Sequence, residues 1–179
     1  MEGFLERLQV VVDRHLDGFE AKQGYAPADN HVSPAVQADG VIALRRAFDG
    51  RAPESVMRFF GAVEEVSLPD FWNGYFLGPA EWSAGLRSAG EPRAMATADG
   101  VVDVLIVGSD GGGSLFAVAV DGTDPVYLLP PSAIEDGVWT PGSAQATRLA
   151  DSLDDFLALF VTGLEDHVLR GGAAPFSQV

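Results

Sequence analysis

No cysteine occurs among the 179 residues, which removes disulfides, thiolate nucleophiles and cysteine-bearing metal sites from consideration at once and is consistent with a reducing compartment. Histidine is scarce as well. His15, His31 and His167 stand far apart, and none shares a metal-ligand spacing with another histidine or with a carboxylate pair. Lysine occurs once, as Lys22, beside ten arginines, and 26 acidic residues leave a net charge of −15. Bases that few cannot neutralise a phosphate backbone, so direct binding of nucleic acid is disfavoured. No stretch approaches the roughly 20 apolar residues of a membrane span. Acids at Glu2 and Glu6 do not suit a signal peptide. Repeats, low-complexity runs and linkers are also missing. The expectation is one domain over residues 1–179, soluble and cytoplasmic.

The acidity is spread along the chain. Residues 1–91 carry 14 acids and 8 bases, and residues 92–179 carry 12 and 3. Such a surface keeps a protein soluble, and it can also steer a basic partner such as a nucleic-acid-cleaving protein.

The organising stretch is residues 101–130, VVDVLIVGSDGGGSLFAVAVDGTDPVYLLP. It reads as three strands of an antiparallel meander, at 101–107, 115–120 and 125–129, reversed at two gaps rich in glycine and aspartate. The first run carries few polar side chains, which predicts that at least part of it is buried on both faces, at the centre of the sheet. Apolar residues at three- and four-residue spacing predict an N-terminal helix over residues 3–22, within an N-terminal segment 1–24. A polar loop follows. A second helix starts at Ser33 and Pro34, or at about Asp39 if Gly40 delays it, and runs to about Phe48. A short helix opens at residues 51–54 and runs through Phe60. Residues 63–68, 74–77 and 93–97 read as strands, with a helix over 79–88 that Gly90 and Pro92 punctuate. After the meander, Ser132 caps a single turn through Asp136, and residues 137–147 form a loop around Trp139. Ser152 caps a closing helix, Gly171 and Gly172 stop it, and residues 171–179 read as a frayed tail. Helices, then a sheet of five or six strands, then one helix make an α+β fold with a mostly antiparallel sheet and helices along one side.

Candidate sites are few. The segment GSDGGG at 108–113 does not match G-x-G-x-x-G, carries no lysine and runs into a strand rather than a helix, so it is read as a hairpin whose Asp110 side chain bonds loop amides. Asp110 and Asp103 fall short of a calcium shell. No G-x-S-x-G elbow occurs, and the acid pairs at 64–65, 135–136 and 154–155 read as solvated faces. No catalytic, cofactor-binding or metal-ligating residue is nominated. Trp72, Tyr75, Trp82 and Trp139 are either core or anchors of a protein interface, where tryptophan and tyrosine are enriched. The residues nominated for protein binding are Asp70, Phe71, Trp72 and Tyr75 in an aromatic turn, with Asp110 in the glycine hairpin.

These features together resemble the SMI1/KNR4 (SUKH) superfamily over about residues 38–165. The resemblance is carried by a helix VIALRRAF at 41–48, a proline-started helix PESVMRFF at 53–60, and the stretch LPDFWNGYFLG at 68–78. It continues through the segment VGSDGGGSLFAVAV at 107–120, a strand PVYL at 125–128 and a closing helix SLDDFLAL at 152–159. Two departures stand out: Ser114 where an acid is common, and the aromatic stretch at 71–77, found in a subset of such proteins. The resemblance implies a protein-binding module rather than an enzyme. It implies, more specifically, an immunity protein that occludes a cognate bacterial toxin of nuclease or deaminase type, a basic partner for an acidic face. A general intracellular regulator or scaffold of the same family is the alternative, and an enzyme or small-ligand binder using a pocket near residues 108–113 is a third. Oligomeric state is left open.

Overall fold

The computed structural model describes residues 1–89 and 91–177; Gly90, expected to punctuate a helix exit, lies outside them. The N-terminal helix is broken in two, α1 (Glu2–Leu16) and α2 (Phe19–Gln23). Gly18 adopts φ 65° between them, which a continuing helix forbids, while Phe19 still turns into the core. Ser33 and Pro34 do not start a helix. They belong to β1 (His31–Pro34), an edge strand where proline's missing amide costs nothing. The helix starts later, as α3 (Asp39–Ala47), and α4 (Glu54–Phe60) follows with Pro53 at its cap.

The sheet then builds through β2 (Val63–Leu68), β3 (Tyr75–Leu77), helix α5 (Ala80–Ala89), β4 (Ala94–Thr97), β5 (Gly100–Asp110), β6 (Leu115–Ala119) and β7 (Val126–Leu129). The single turn expected after Ser132 is instead a tight ribbon of β8 (Ile134–Glu135) and β9 (Val138–Trp139), and β10 (Thr147–Ala150) follows. Helix α6 (Leu153–Arg170) closes the order; the Ser152 hydroxyl accepts from the Asp155 amide and Gly171 ends it at φ 70°. Ten strands among the described residues exceed the five or six expected, because the extra ones are peripheral pieces of two to four residues.

The fold is thus α+β around a mostly antiparallel sheet, with β4 and β9 forming the one parallel pair among the described strands. Strand β5 is central, as its composition predicts. One edge pairs with β4 through its first residues and with β3 through its last, and the other edge takes β6. Its side chains divide between two cores. Leu105 and Val107 join the large core beneath α1, α4 and α6, and Val104 and Ile106 join a smaller one with Met95, Leu129 and Trp139. The second face is therefore not bare: Trp82 and Leu86 of α5 pack against that smaller core.

The expected fraying does not hold for residues 171–177. Ala174 is buried, and Phe176 stacks on Phe156 with ring centroids 5.4 Å apart. The buried Tyr75 hydroxyl donates to the Pro175 carbonyl. A tail that supplies an aromatic ring and satisfies a buried hydroxyl has more to gain from order than from chain entropy.

Candidate functional site

At one end of the sheet two turns meet: residues 69–74, between β2 and β3, and residues 111–114, between β5 and β6. Their meeting follows from register. Strand β3 pairs with the end of β5, Tyr75 opposite Asp110 and Leu77 opposite Gly108, so the chain leaving each strand arrives at the same place. The Gly111 amide donates to the Gly74 carbonyl at 3.0 Å. The approach is so close that a Cβ on Gly111 would stand 1.6 Å from the Asn73 carbonyl oxygen, and one on Gly108 would stand 2.2 Å from that of Phe76. These glycines are required by backbone contact with the aromatic turn.

The glycine hairpin itself is closed as the sequence suggests. Asp110 Oδ1 accepts from the Ser114 amide at 2.7 Å, and the Asp110 amide donates to the Ser114 carbonyl at 3.0 Å. It continues into β6 and not into a helix. Its added role, as the platform for residues 69–74, is invisible in sequence because the partner segment lies some 40 residues upstream.

The five nominated residues separate by burial. Phe71 and Tyr75 are core residues, fully enclosed, and cannot act as surface anchors. Phe71 lies against the His15 ring, centroids 4.1 Å apart, and Tyr75 stands edge-on to Phe160. Burial, with the nearby Asp110 charge, pushes the Tyr75 phenol well above its ordinary pKa, so it stays a donor. Asp70 is committed inward: its Oδ2 accepts from the Ala28 amide at 2.7 Å and from Asn30 Nδ2 at 2.6 Å, which ties down the loop at 25–30. Asp110 is spent on its own hairpin. Trp72 alone is presented to solvent, 58% exposed.

The turn that displays Trp72 is held by hydrogen bonds and packing on both sides. The Gly74 amide donates to the Phe71 carbonyl at 2.8 Å, closing a turn in which Trp72 holds φ 56°. A bulky residue in that region is an outlier that surrounding contacts must impose. Here Phe71 is locked in the core on one side and Gly74 is bonded to Gly111 on the other. From below, His15 Nε2 lies 3.1 Å from the Asp70 carbonyl, so the neutral ring carries its proton there, and burial lowers the His15 pKa in keeping with a neutral form.

The other histidines are also engaged. His31 lies between Glu65 at 3.3 Å and Asp29 at 3.5 Å, and His167 Nδ1 is 2.9 Å from the Gly172 carbonyl. Among the described residues no group of three or more histidines and carboxylates is placed to hold a metal ion, and no helix is long and apolar enough to cross a membrane. Trp139, weighed as an anchor, is core, with its indole donating to the Pro130 carbonyl; Trp82 is half-buried.

Sequence reasoning missed the Asp70 partners Ala28 and Asn30 and the Phe176 ring. Their signals are local side-chain chemistry in segments that read as plain loop. Comparison with protein-family models, curated proteins and solved structures gives no match.

Proposed function

We propose that this chain is a non-enzymatic protein-binding domain of the SMI1/KNR4 (SUKH) type that serves as an immunity protein. In this reading it binds a cognate bacterial toxin of the nuclease or deaminase class and covers the toxin's working surface. The observation that carries it is the exposed Trp72, held at φ 56° on a turn fixed from both sides. A turn whose backbone is already held in place loses little entropy on association, and tryptophan is among the side chains most enriched at binding hot spots. The net charge of −15 supplies the other half. A protein that works on nucleic acid presents a basic surface, which an acidic molecule attracts from a distance and then occupies.

The test is the protein encoded beside the gene, purified and titrated against this chain. It should be basic and toxic when expressed alone, and it should bind at low salt with affinity falling as salt rises. Trp72→Ala should weaken binding about 30-fold, or about 2 kcal/mol, while changing stability by less than about 0.5 kcal/mol, as for an exposed side chain. A neighbour that is neither toxic nor bound sinks the reading. One that is bound but harmless leaves the regulator or scaffold role.

A further inference from the structure

Helices α1 and α6 lie side by side and run in the same direction. Met1 and Phe4 border Leu157 at one end, Arg7 meets Glu165 midway, and Val10 meets Leu169 at the other end. Their seam faces outward as a groove about 22 Å long, the length of fifteen helical residues. Three concavities follow one another along it, of about 340, 220 and 390 Å³. Arg7 bounds the first two and donates to both Glu165 oxygens at 2.9 and 2.8 Å. Val10 and Leu169 line the second and third together and are left 64% and 53% exposed. Two aliphatic side chains facing each other across a helix seam are what a third helix covers when it lies in the groove.

The charge on the seam chooses the occupant. From Gly3 onward the two helices carry six acids against three arginines. Arg7 and Arg170 are already neutralised by Glu165 and Asp166. Asp154 is paired with Arg58 and Asp155 accepts from the Ser152 cap, so the rim keeps Glu6 and Asp13, with Asp17 at the α1 C-cap, against Arg14. A second copy of this chain would bring the same negative rim and a further −15, so self-association is opposed. We propose that the α1/α6 seam receives a basic amphipathic helix of the partner protein, its leucine-like face on Val10 and Leu169 and its cations on the acidic rim. This rests on the reading of the chain as a binder of a basic protein, and it names what that partner presents.

The probe is a helical peptide of about 18 residues, leucines at three- and four-residue spacing with lysines and alanines between, about 27 Å long. It is titrated against the full chain by calorimetry and by amide chemical-shift mapping. Binding should perturb α1 and α6 and weaken with salt. It should fall about tenfold or more in the charge-neutral double variant Val10→Ser, Leu169→Ser. The control double variant Val36→Ser, Val101→Ser removes exposed apolar groups elsewhere and should bind as wild type. Trp72→Ala should also bind the peptide as wild type, which keeps this test separate from that of the toxin-binding reading. Equal binding of a glutamate-for-lysine peptide, undiminished binding by the seam variant, shifts confined to other surfaces, or a dimer of this chain that the seam variant dissolves would each overturn the proposal.

Discussion

Gly111 and Gly85 show how differently two glycines of one chain can be constrained. A Cβ at Gly111 would collide with the Asn73 carbonyl, whereas Gly85 sits in α5 with nothing within 4 Å of that position. Gly111→Ala must push apart two backbone segments and should cost about 1–3 kcal/mol in urea denaturation, the range of overpacking. Gly85→Ala should stabilise by about 0.5–1 kcal/mol, the helix-interior penalty of glycine. If the two substitutions prove equal, the turns are not seated as described. His31 gives a second residue-level test. Burial by itself would lower its pKa, but the hydrogen bond to Glu65 and the charges of Asp29 and Glu65 outweigh it, and the net shift is upward. A histidine whose folded pKa is raised adds stability that is complete below its unfolded pKa, about 6.5, and is lost as pH rises through the folded value. Replacing His31 with Gln should therefore cost more at pH about 5.5 than at pH about 8.5, with the difference under about 1 kcal/mol because the group is partly exposed. His15 has the opposite sign, its pKa being lowered by burial, so it favours the folded chain at high pH and withdraws that support as pH falls. Comparing the His31 variant with wild type at each pH leaves the His15 contribution common to both.

The C-terminal segment after α6 is an element without regular structure, yet it seals the large core. It carries Phe176 to Phe156 and places a carbonyl on the Tyr75 hydroxyl. Removing residues 173–179 should lower stability by more than about 2 kcal/mol: it uncovers an aromatic face and strands a buried donor, the latter alone worth about 1–3 kcal/mol. Tyr75→Phe should destabilise the full chain but recover part of the loss in the shortened one, because an apolar ring needs no acceptor. Additive effects of the two changes, measured as a double-mutant cycle, would show that the hydroxyl does not depend on the tail. Nothing in the composition of this segment announces that role, and the same physical difference runs through the rest of the fold. Strand β2, the β5–β6–β7 meander and α6 are legible because long apolar runs, hairpin residues and a serine cap all agree. Strands β1, β8, β9 and β10 are not, since runs of two to four residues are too short to show a period and owe their extended form to the neighbour they pair with. The break at Gly18 escapes for the converse reason: the apolar spacing continues across it because Phe19 still reaches the core. At the candidate site the turn and its tryptophan could be read from Asn73, Gly74 and the clustered aromatics. Which rings faced inward could not, because alternation loses its meaning where the backbone leaves the strand.

Over the whole molecule, charge acts on folding and on binding with opposite signs. Arg7, Arg51, Arg58, Arg87, Arg148 and Arg170 already lie within 4 Å of a carboxylate. Apart from Arg87, whose side chain is mostly buried, these pairs are exposed and contribute little each, and the excess of acids that makes the net −15 repels itself across the surface. Added salt shortens the range of both effects, from about 30 Å at 0.01 M to about 10 Å at 0.1 M. Pairs at contact distance are the less sensitive of the two, so screening should relieve more repulsion than it removes attraction. The midpoint of thermal unfolding should accordingly rise between about 10 mM and about 300 mM potassium chloride, a salt chosen to avoid the surface exclusion that sulfate adds. Over the same interval the affinity for a basic partner should fall, because the attraction that brings the two together is screened by the same ions. A midpoint that falls with salt would mean that the ion pairs, and not the excess of acids, dominate the surface energy. In that case the excess acids stand too far apart to repel one another strongly, and the net −15 still draws in a basic protein but spreads that attraction over the surface instead of concentrating it where the partner docks.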